Sequence, residues 1–515
     1  MKKIAVKIFF LLGIVSCFPS CDFDLDKENP NSVTVENFYK TEDDLTNAVN
    51  ATYAVLQDRT LVAREWWWIH DLRGDDMATG GGQLETPRYQ LLIGTNDAAN
   101  YVAENVWKGW YAVIHRANVV IEKAADVIMD NESKRERLVG EAKFLRAWAY
   151  FDLVSLWGGV PLYNEYVKDL SGSNPRGTVD EVYASIISNL QDAIAALPLN
   201  YSGENIGRAT QGAARAMLAK VYMQQGDYAS AKNQLQEIID SNQYWLVDNY
   251  NDNFLEETEY NDESVFEVGF MDSNGQNSGL NHDGIGAETT LHNQDISPIT
   301  WGNLIPSESL LEEFESTDVA GDTKTDPRYK FSFYEVGDMI VTGPLTEDQF
   351  NVASSSVRGG APKKVGWRKH TIIYKYAPKY YGGINERVIR YAEVLLMMAE
   401  CQNETGDSEA DVLSTLNQVR DRLSVSMPHY PTANYPTETK EDRFRAIVHE
   451  KRVELAGEEI RNRDILRWRQ EDKLAFIGGE PIAYFQPNKY ELLPIPQSEI
   501  DNNPNIGDED QNFGY

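Results

Sequence analysis

The stretch Glu65-Trp66-Trp67-Trp68-Ile69-His70 sets three indoles side by side, and Asp71, Asp75 and Asp76 follow at once. Indole planes stack on the apolar C–H faces of pyranose rings, while nearby carboxylates and amides accept the sugar hydroxyl hydrogens. This combination is the chemistry of saccharide binding. Successive side chains fan around a helix and alternate across a strand, so three adjacent indoles cannot all face one core on either element. At least one is expected to be exposed or to line a cleft. Asn96, in a loop before a long periodic segment, is a candidate amide contact. Tyr89 and Trp301 lie in loop-rich contexts and are candidates to complete an aromatic platform. The bland alternative makes two of the three tryptophans core and lets Trp301 close a small satellite cluster.

Other chemistry is weaker. His282 and His292 share a loop with Asp283, Glu288 and Asp295, but solvated loop residues are the expected reading and no metal or cofactor is assigned. Asp248 to Glu257 lacks the turn glycine of a calcium loop. Gly80-Gly81-Gly82 and Gly284-Ile285-Gly286 follow no clear strand, so they are read as flexible loops and not as phosphate cradles. Neither a Walker A pattern nor a GxSxG elbow is present. Glu450 to Trp468 is dense in acid and base, and pairs such as Glu458–Arg461 at helical spacing predict salt-bridged packing. With 80 Asp and Glu, a carboxylate pair for glycoside hydrolysis is available by number. None is singled out by pattern, so no catalytic residue is assigned and an enzyme is not expected. A secreted glycoside hydrolase on a helical scaffold is the alternative.

The elements that must carry these residues begin after an export signal. Met1 to Lys7 is basic, Ile8 to Val15 is apolar, and Ser16 to Ser20 leads to Cys21. The apolar run is too short to span a bilayer as a helix. Residues 1–20 read as a signal peptide, and Cys21 as an acylated new N-terminus holding the protein to membrane lipid. Phe18 and Pro19 depart from the usual lipobox, and the alternative is ordinary cleavage after Ser20. Residues 21–40 form an acidic tether. The remaining cysteine of the mature chain, Cys401, has no partner for a disulfide framework. A formal net charge of -32 argues against nucleic acid and anionic lipid headgroups as partners.

The body reads as mainly α. Residues 41–250 form a helical scaffold, with helices expected over Asp43–Gln57, from Asn105 past Ile121, over Glu141–Trp157 and over Val179–Leu197. Ala213 to Ile239 carries Leu218-Ala219, Tyr222, Gly226, Tyr228, Ala231 and Leu235 where a tetratricopeptide pair places them. Arg390 to Arg420 is a weaker second pair. Residues 251–384 lose periodicity and read as a loop-rich, ligand-facing subdomain with little β, Met339–Val341 and Ile372–Tyr376 being the candidate strands. Residues 385–515 contain the second pair, the charged helix and a C-terminal extension.

Several blocks then fall in the order of one family. They are Asn29-Pro30 with Thr41 to Tyr53; Trp107, Tyr111, Ile114 and Arg116 to Asn118; Glu141 to Ala147 with Gly158-Gly159-Val160-Pro161-Leu162; and Gly207 to Thr210. Glu450 to Trp468 and the ending Leu493-Pro494-Ile495-Pro496 to Tyr515 complete the series, with Phe513 where proline is usual. From Cys21 to Tyr515 the chain resembles the SusD-like (RagB/SusD) outer-membrane nutrient-binding lipoproteins. The resemblance implies a tetratricopeptide-like scaffold on the outer cell surface, an oligosaccharide or other nutrient ligand, and a SusC-like TonB-dependent transporter as partner. It implies binding without catalysis, and an acidic ligand contact at Asp75 or Asp76. Some members handle peptides, so a peptide ligand is a second alternative. The anchoring expectation has a direct test. Cys21→Ala should move the mature protein from the membrane fraction to the soluble fraction, and retention in membranes washed with high salt would contradict acylation as the tether.

Overall fold

The computed structural model describes residues 38–80, 84–168, 172–271, 289–319, 322–352, 354–355, 363–376 and 381–515. The signal, Cys21 and most of the tether lie outside them, as do His282, Asp283 and Glu288.

Helix formation follows the apolar periodicity, and the ends follow the caps. The N-terminal helices are α1 (Glu42–Leu56), α2 (Glu65–Asp71), α3 (Thr86–Leu92), α4 (Tyr101–Lys123), α5 (Glu132–Trp157) and α6 (Val179–Ala196). α1 and α6 open with reciprocal capping boxes, Thr41 with Asp44 and Thr178 with Glu181. α4 begins earlier than its apolar stripe suggests because the Asn100 side chain accepts from Val102 and Ala103 N–H. α5 likewise starts nine residues before Glu141 in sequence, capped by Asn131. It ends at Gly158, whose φ of 75° suits the turn.

The first tetratricopeptide-like pair is α7 (Gln211–Gln224) and α8 (Tyr228–Asp240), joined through Gly226 at φ 74° with Asp227 capping α8. The chain then leaves the array through the short helices α9 (His292–Ile296), α10 (Glu308–Glu313) and α11 (Arg328–Ser332). It returns as a second pair, α12 (Tyr391–Thr405) and α13 (Glu409–Arg420), and α12 packs directly on α8. The solenoid is therefore continuous in space across the long insertion. α14 (Lys440–Leu455), α15 (Arg461–Gln470) and α16 (Gln497–Asn502) complete the helices, and α14 packs on α12.

Strands are short. β1 (Met77–Thr79) pairs antiparallel with β3 (Leu304–Pro306), and β2 (Ser264–Val268) pairs with β11 (Glu386–Arg390). β10 (Lys363–Trp367) lies between β6 (Phe333–Glu335) and β9 (Ser354–Ser355). β4 (Ser316–Val319) with β5 (Asp322–Thr325), and β7 (Met339–Ile340) with β8 (Gly343–Pro344), are hairpins. The expected strand over Ile372–Tyr376 is a turn instead, closed by N–H groups of Lys375 and Tyr376 donating to the Ile372 carbonyl. Among the described residues, no helix is long and apolar enough to cross a membrane.

What locks the insertion to the solenoid is ionic. The Glu454 carboxylate, fully buried near the end of α14, meets Arg328 at 2.9 Å, Arg390 at 2.7 Å and Arg422 at 2.9 Å. Arg328 also reaches Glu450, Arg390 reaches Glu263 and Glu458, and Arg422 reaches Glu263. Burial alone would push the Glu454 carboxyl up; the arginines outweigh it and hold it well below the usual carboxylate range. The charged stretch is therefore packing machinery, as its spacing suggested, but its partners are distant. Glu458 lies beyond α14 and binds Arg390 and Lys369, while Arg461 binds Asp75, so the Glu458–Arg461 pair does not form. Glu454→Ala leaves three guanidiniums short of a shared anion and should cost about 3–5 kcal/mol. Asp192→Ala removes only the solvated partner of Lys143 and should cost less than about 1 kcal/mol. Denaturant titration of both variants checks the contrast.

Candidate functional site

α2 is a helix with no solvent face: all seven of its residues are buried. The expectation that one of three adjacent indoles must be exposed is overturned, because the helix is surrounded. Trp66 packs edge-on against Trp148, and Trp67 stacks on Trp68 at 4.6 Å between centroids and on His292 at 4.3 Å. Trp68 donates its Nε1–H to Asp295 at 3.2 Å and lies under the Arg88 guanidinium. All three indoles enter one continuous apolar core, which encloses the short helix from every direction. Relative exposures of 1%, 0% and 0% leave none of Trp66, Trp67 and Trp68 a face for a ligand in this structure.

The acidic candidates are also engaged within the protein. Asp75 is bidentate to Arg461 at 2.7 and 3.1 Å and lies 3.0 Å from Arg452. Asp76 meets Arg452 at 2.9 Å. Burial pushes both carboxyls up; the two arginines outweigh it at Asp75, whereas Asp76 stays raised. Neither is a free acceptor for sugar hydroxyls. Their backbone carbonyls hold Ser307, which fixes the start of α10. Asn96 is buried beside the C-terminal Tyr515 and faces no cleft mouth.

The remaining two candidates are at the surface. Tyr89 on α3 is 45% exposed and Trp301 is 36% exposed. The structure adds Tyr101 at 38%, at the first turn of α4. Beneath them lie two buried ion pairs, Arg64–Asp295 at 2.8 Å and Arg88–Glu65 at 2.7 Å. Arg64 sits 5.9 Å from the Trp301 ring centroid. Arg88 donates to the Tyr101 hydroxyl at 2.9 Å, and that hydroxyl in turn donates to Glu85 at 2.6 Å. Trp301 and Tyr101 thus border the same charged floor, and Tyr89 follows Arg88 on α3. Rings over fixed guanidinium and carboxylate groups offer both stacking surface and hydrogen-bonding edges.

The Trp301 turn is built to hold one shape. Its N–H donates to Gln294 O at 3.0 Å, Asn303 N–H to Asp295 O at 2.7 Å, and Asn351 Nδ2 to Thr300 O at 2.9 Å. Gly302 has φ 55°, and a Cβ on Gly80 would strike the Gly302 carbonyl at 1.6 Å. Gly80 is therefore a close-approach position at the end of β1, and not the flexible loop its sequence suggests. Sequence reasoning missed Tyr101, Arg64 and Arg88 and read Asp295 as a solvated loop residue, because no spacing links them; 231 positions separate the buried Arg64–Asp295 pair. Trp67→Ala should cost about 3–5 kcal/mol by losing a stacked core indole. Trp301→Ala should shift stability by less than about 1 kcal/mol. Thermal melts of the two variants distinguish core from rim.

The fold is shared with known proteins. A model described as the SusD family matches residues 262–515, and one described as starch-binding associating with outer membrane matches residues 23–223. SusD-like protein P25 of Formosa agariphila is 27% identical over the whole length of both chains. Surface glycan-binding protein A from Bacteroides fluxus superposes with a TM-score of 0.74 at 25% identity, over 92% of this chain and all of that one. A laminarin-binding SusD-like protein superposes with a TM-score of 0.72 at 26% identity, over 93% of this chain and all of that one.

Proposed function

From the premise that the chain belongs to the SusD family, we propose that it is a surface glycan-binding protein whose saccharide stacks on the rim formed by Tyr89, Tyr101 and Trp301. The observation that carries this reading is the pair of half-exposed rings, Trp301 and Tyr101, poised over the buried Arg64–Asp295 and Arg88–Glu65 pairs. A platform already fixed by backbone hydrogen bonds loses little freedom on binding, which favours affinity. The relatives' descriptions as glycan- and laminarin-binding proteins support the ligand class. In this reading the rim is shared: Trp301 comes from residues 251–384, Tyr89 and Tyr101 come from the helical region 41–250, and residues 385–515 belong to the scaffold. The three buried tryptophans act as its floor and not as contacts.

The carboxylates near the rim speak for binding over hydrolysis. Glu65 and Asp295 are each committed to an arginine, and Glu85 to Arg88 and the Tyr101 hydroxyl. A glycosidase needs one carboxyl free to protonate the leaving oxygen and another free to attack or activate water. The family resemblance supports the rest: acylated Cys21 as a tether to the outer membrane, and transfer of the glycan to a SusC-like TonB-dependent transporter.

Calorimetry against a panel of α- and β-linked gluco-oligosaccharides tests the proposal. At least one should bind, and Trp301→Ala and Tyr101→Ala should each weaken it by roughly tenfold or more, equal to about 1.4 kcal/mol, with melting temperature retained. Long incubation should return the oligosaccharide intact. Unchanged binding in both variants would move the site elsewhere, and protein-dependent cleavage products would favour the hydrolase.

A further inference from the structure

A column of stacked rings runs inward from α2: Trp68, Trp67, His292 and His370, with the two imidazoles 4.8 Å apart between centroids and 28° from parallel. Glu386 of β11 closes the inner end. Its Oε2 lies 3.7 Å from Nδ1 of His292 and 3.7 Å from Nδ1 of His370. One ring nitrogen from each histidine and one Glu386 oxygen all lie within 4.8 Å of one another. The three residues are 3%, 4% and 1% exposed.

We propose that His292, His370 and Glu386 form a binding site for a divalent transition-metal ion of the zinc class, a structural centre beneath the glycan rim.

Buried polar atoms are ordinarily satisfied, and here they are not. Nε2 of both histidines has no hydrogen-bond partner, and among the described residues the Glu386 carboxyl is hydrogen-bonded only by the Glu459 carboxyl. Asp71 and Glu459 face the same point, and the Glu459 N–H donates to Asp71. Among the described residues no lysine or arginine forms an ion pair with Asp71, Glu386 or Glu459; the neighbouring cations are engaged elsewhere, Arg387 by Glu267 and Lys369 by Glu458. Burial raises all three carboxyls, with Glu386 repelling Asp71 and Glu459 in addition, and burial lowers both imidazoles. A divalent cation would reverse that penalty, since carboxylate and neutral imidazole are the forms that ligate metals.

The donor set selects the ion. Two imidazoles and a carboxylate suit zinc and its neighbours, whereas calcium and magnesium take oxygen ligands. At metal–ligand distances of about 2.0–2.1 Å, tetrahedral ligand atoms sit roughly 3.4 Å apart, so the 3.7 Å separations need only a slight contraction. Thr290 Oγ1 lies 3.0 Å from His292 Nδ1, the nitrogen nearest Glu386, and gives way to the ion when that nitrogen ligates. Asp71, Glu459 or water completes the fourth position. The ion would join α9, β11 and the His370 turn, and α9 also carries Asp295, which holds Arg64 and Trp68. The site is independent of which saccharide binds.

Because the cluster is buried, metal should enter during folding. The untagged protein is unfolded in guanidinium with chelator, then refolded with zinc chloride, cobalt chloride or magnesium chloride and desalted. Elemental analysis should find about one zinc per chain after refolding with zinc, and below about a tenth of an equivalent in a His292→Gln/His370→Gln double variant. Cobalt-refolded protein should show the visible bands of a tetrahedral ion and quenched tryptophan emission from Trp67. The zinc form should melt above the magnesium form. Equal metal content in wild type and double variant, or no difference between zinc and magnesium refolding, overturns the proposal. If the double variant does not fold, the cobalt spectrum and the zinc-against-magnesium comparison on the wild-type chain decide.

Discussion

One buried carboxylate governs how this protein is assembled. Glu454 can be left charged in the interior only while arginines from three separate segments surround it. Arg328 belongs to the long insertion, Arg390 ends β11 and Arg422 follows the second helix pair. Removing any one segment leaves Glu454 with fewer of the arginines that hold it charged in the interior. The shared anion therefore couples the insertion to the solenoid more selectively than apolar contact would, since apolar faces tolerate many registers and a fork-to-carboxylate geometry tolerates few.

The same principle recurs toward the rim. Asp75 and Asp76 engage Arg452 and Arg461, which fixes α14 and α15 against the segment leading into β1. Arg64–Asp295 and Arg88–Glu65 then fix α2, α3 and α9 beneath Trp301 and Tyr101. Function is thereby separated from fold. The charged residues are spent inside on positioning, while the exposed residues proposed to contact a ligand are a few aromatic rings. Variation at those rings changes what is bound without disturbing what holds them, as expected where binding residues sit on loops carried by a rigid frame.

Much of this was legible in the chain. The periodicity of α4 to α8 and of α12 to α13 states the helical scaffold, because a 3.6-residue apolar stripe has few other uses. The turn at Gly226-Asp227 and the capping threonines set boundaries by local chemistry. Where boundaries moved, at α4 and α5, an asparagine cap lay upstream of the apolar stripe. Tyr89 and Trp301 were named from their loop contexts and are exposed, while the tryptophan triplet was named from the adjacency of its indoles and the aspartates from the family resemblance, and both are buried. An indole looks the same in a sequence whether it stacks on a sugar or on His292.

By itself the sequence determined the class of the protein: a mainly helical repeat scaffold, an acidic body and a family order of motifs, all of which are local or periodic properties. Tertiary structure alone decided the site. Which aromatic rings reach solvent depends on what covers them, and α2 is covered on every side by elements remote in the chain. Of the two ion pairs that make the floor of the rim, Arg64–Asp295 joins residues 231 positions apart and Arg88–Glu65 residues 23 apart. His292, His370 and Glu386 converge from α9, a turn and β11. Such meetings follow from how the insertion folds back on the solenoid, and no spacing within the chain encodes them.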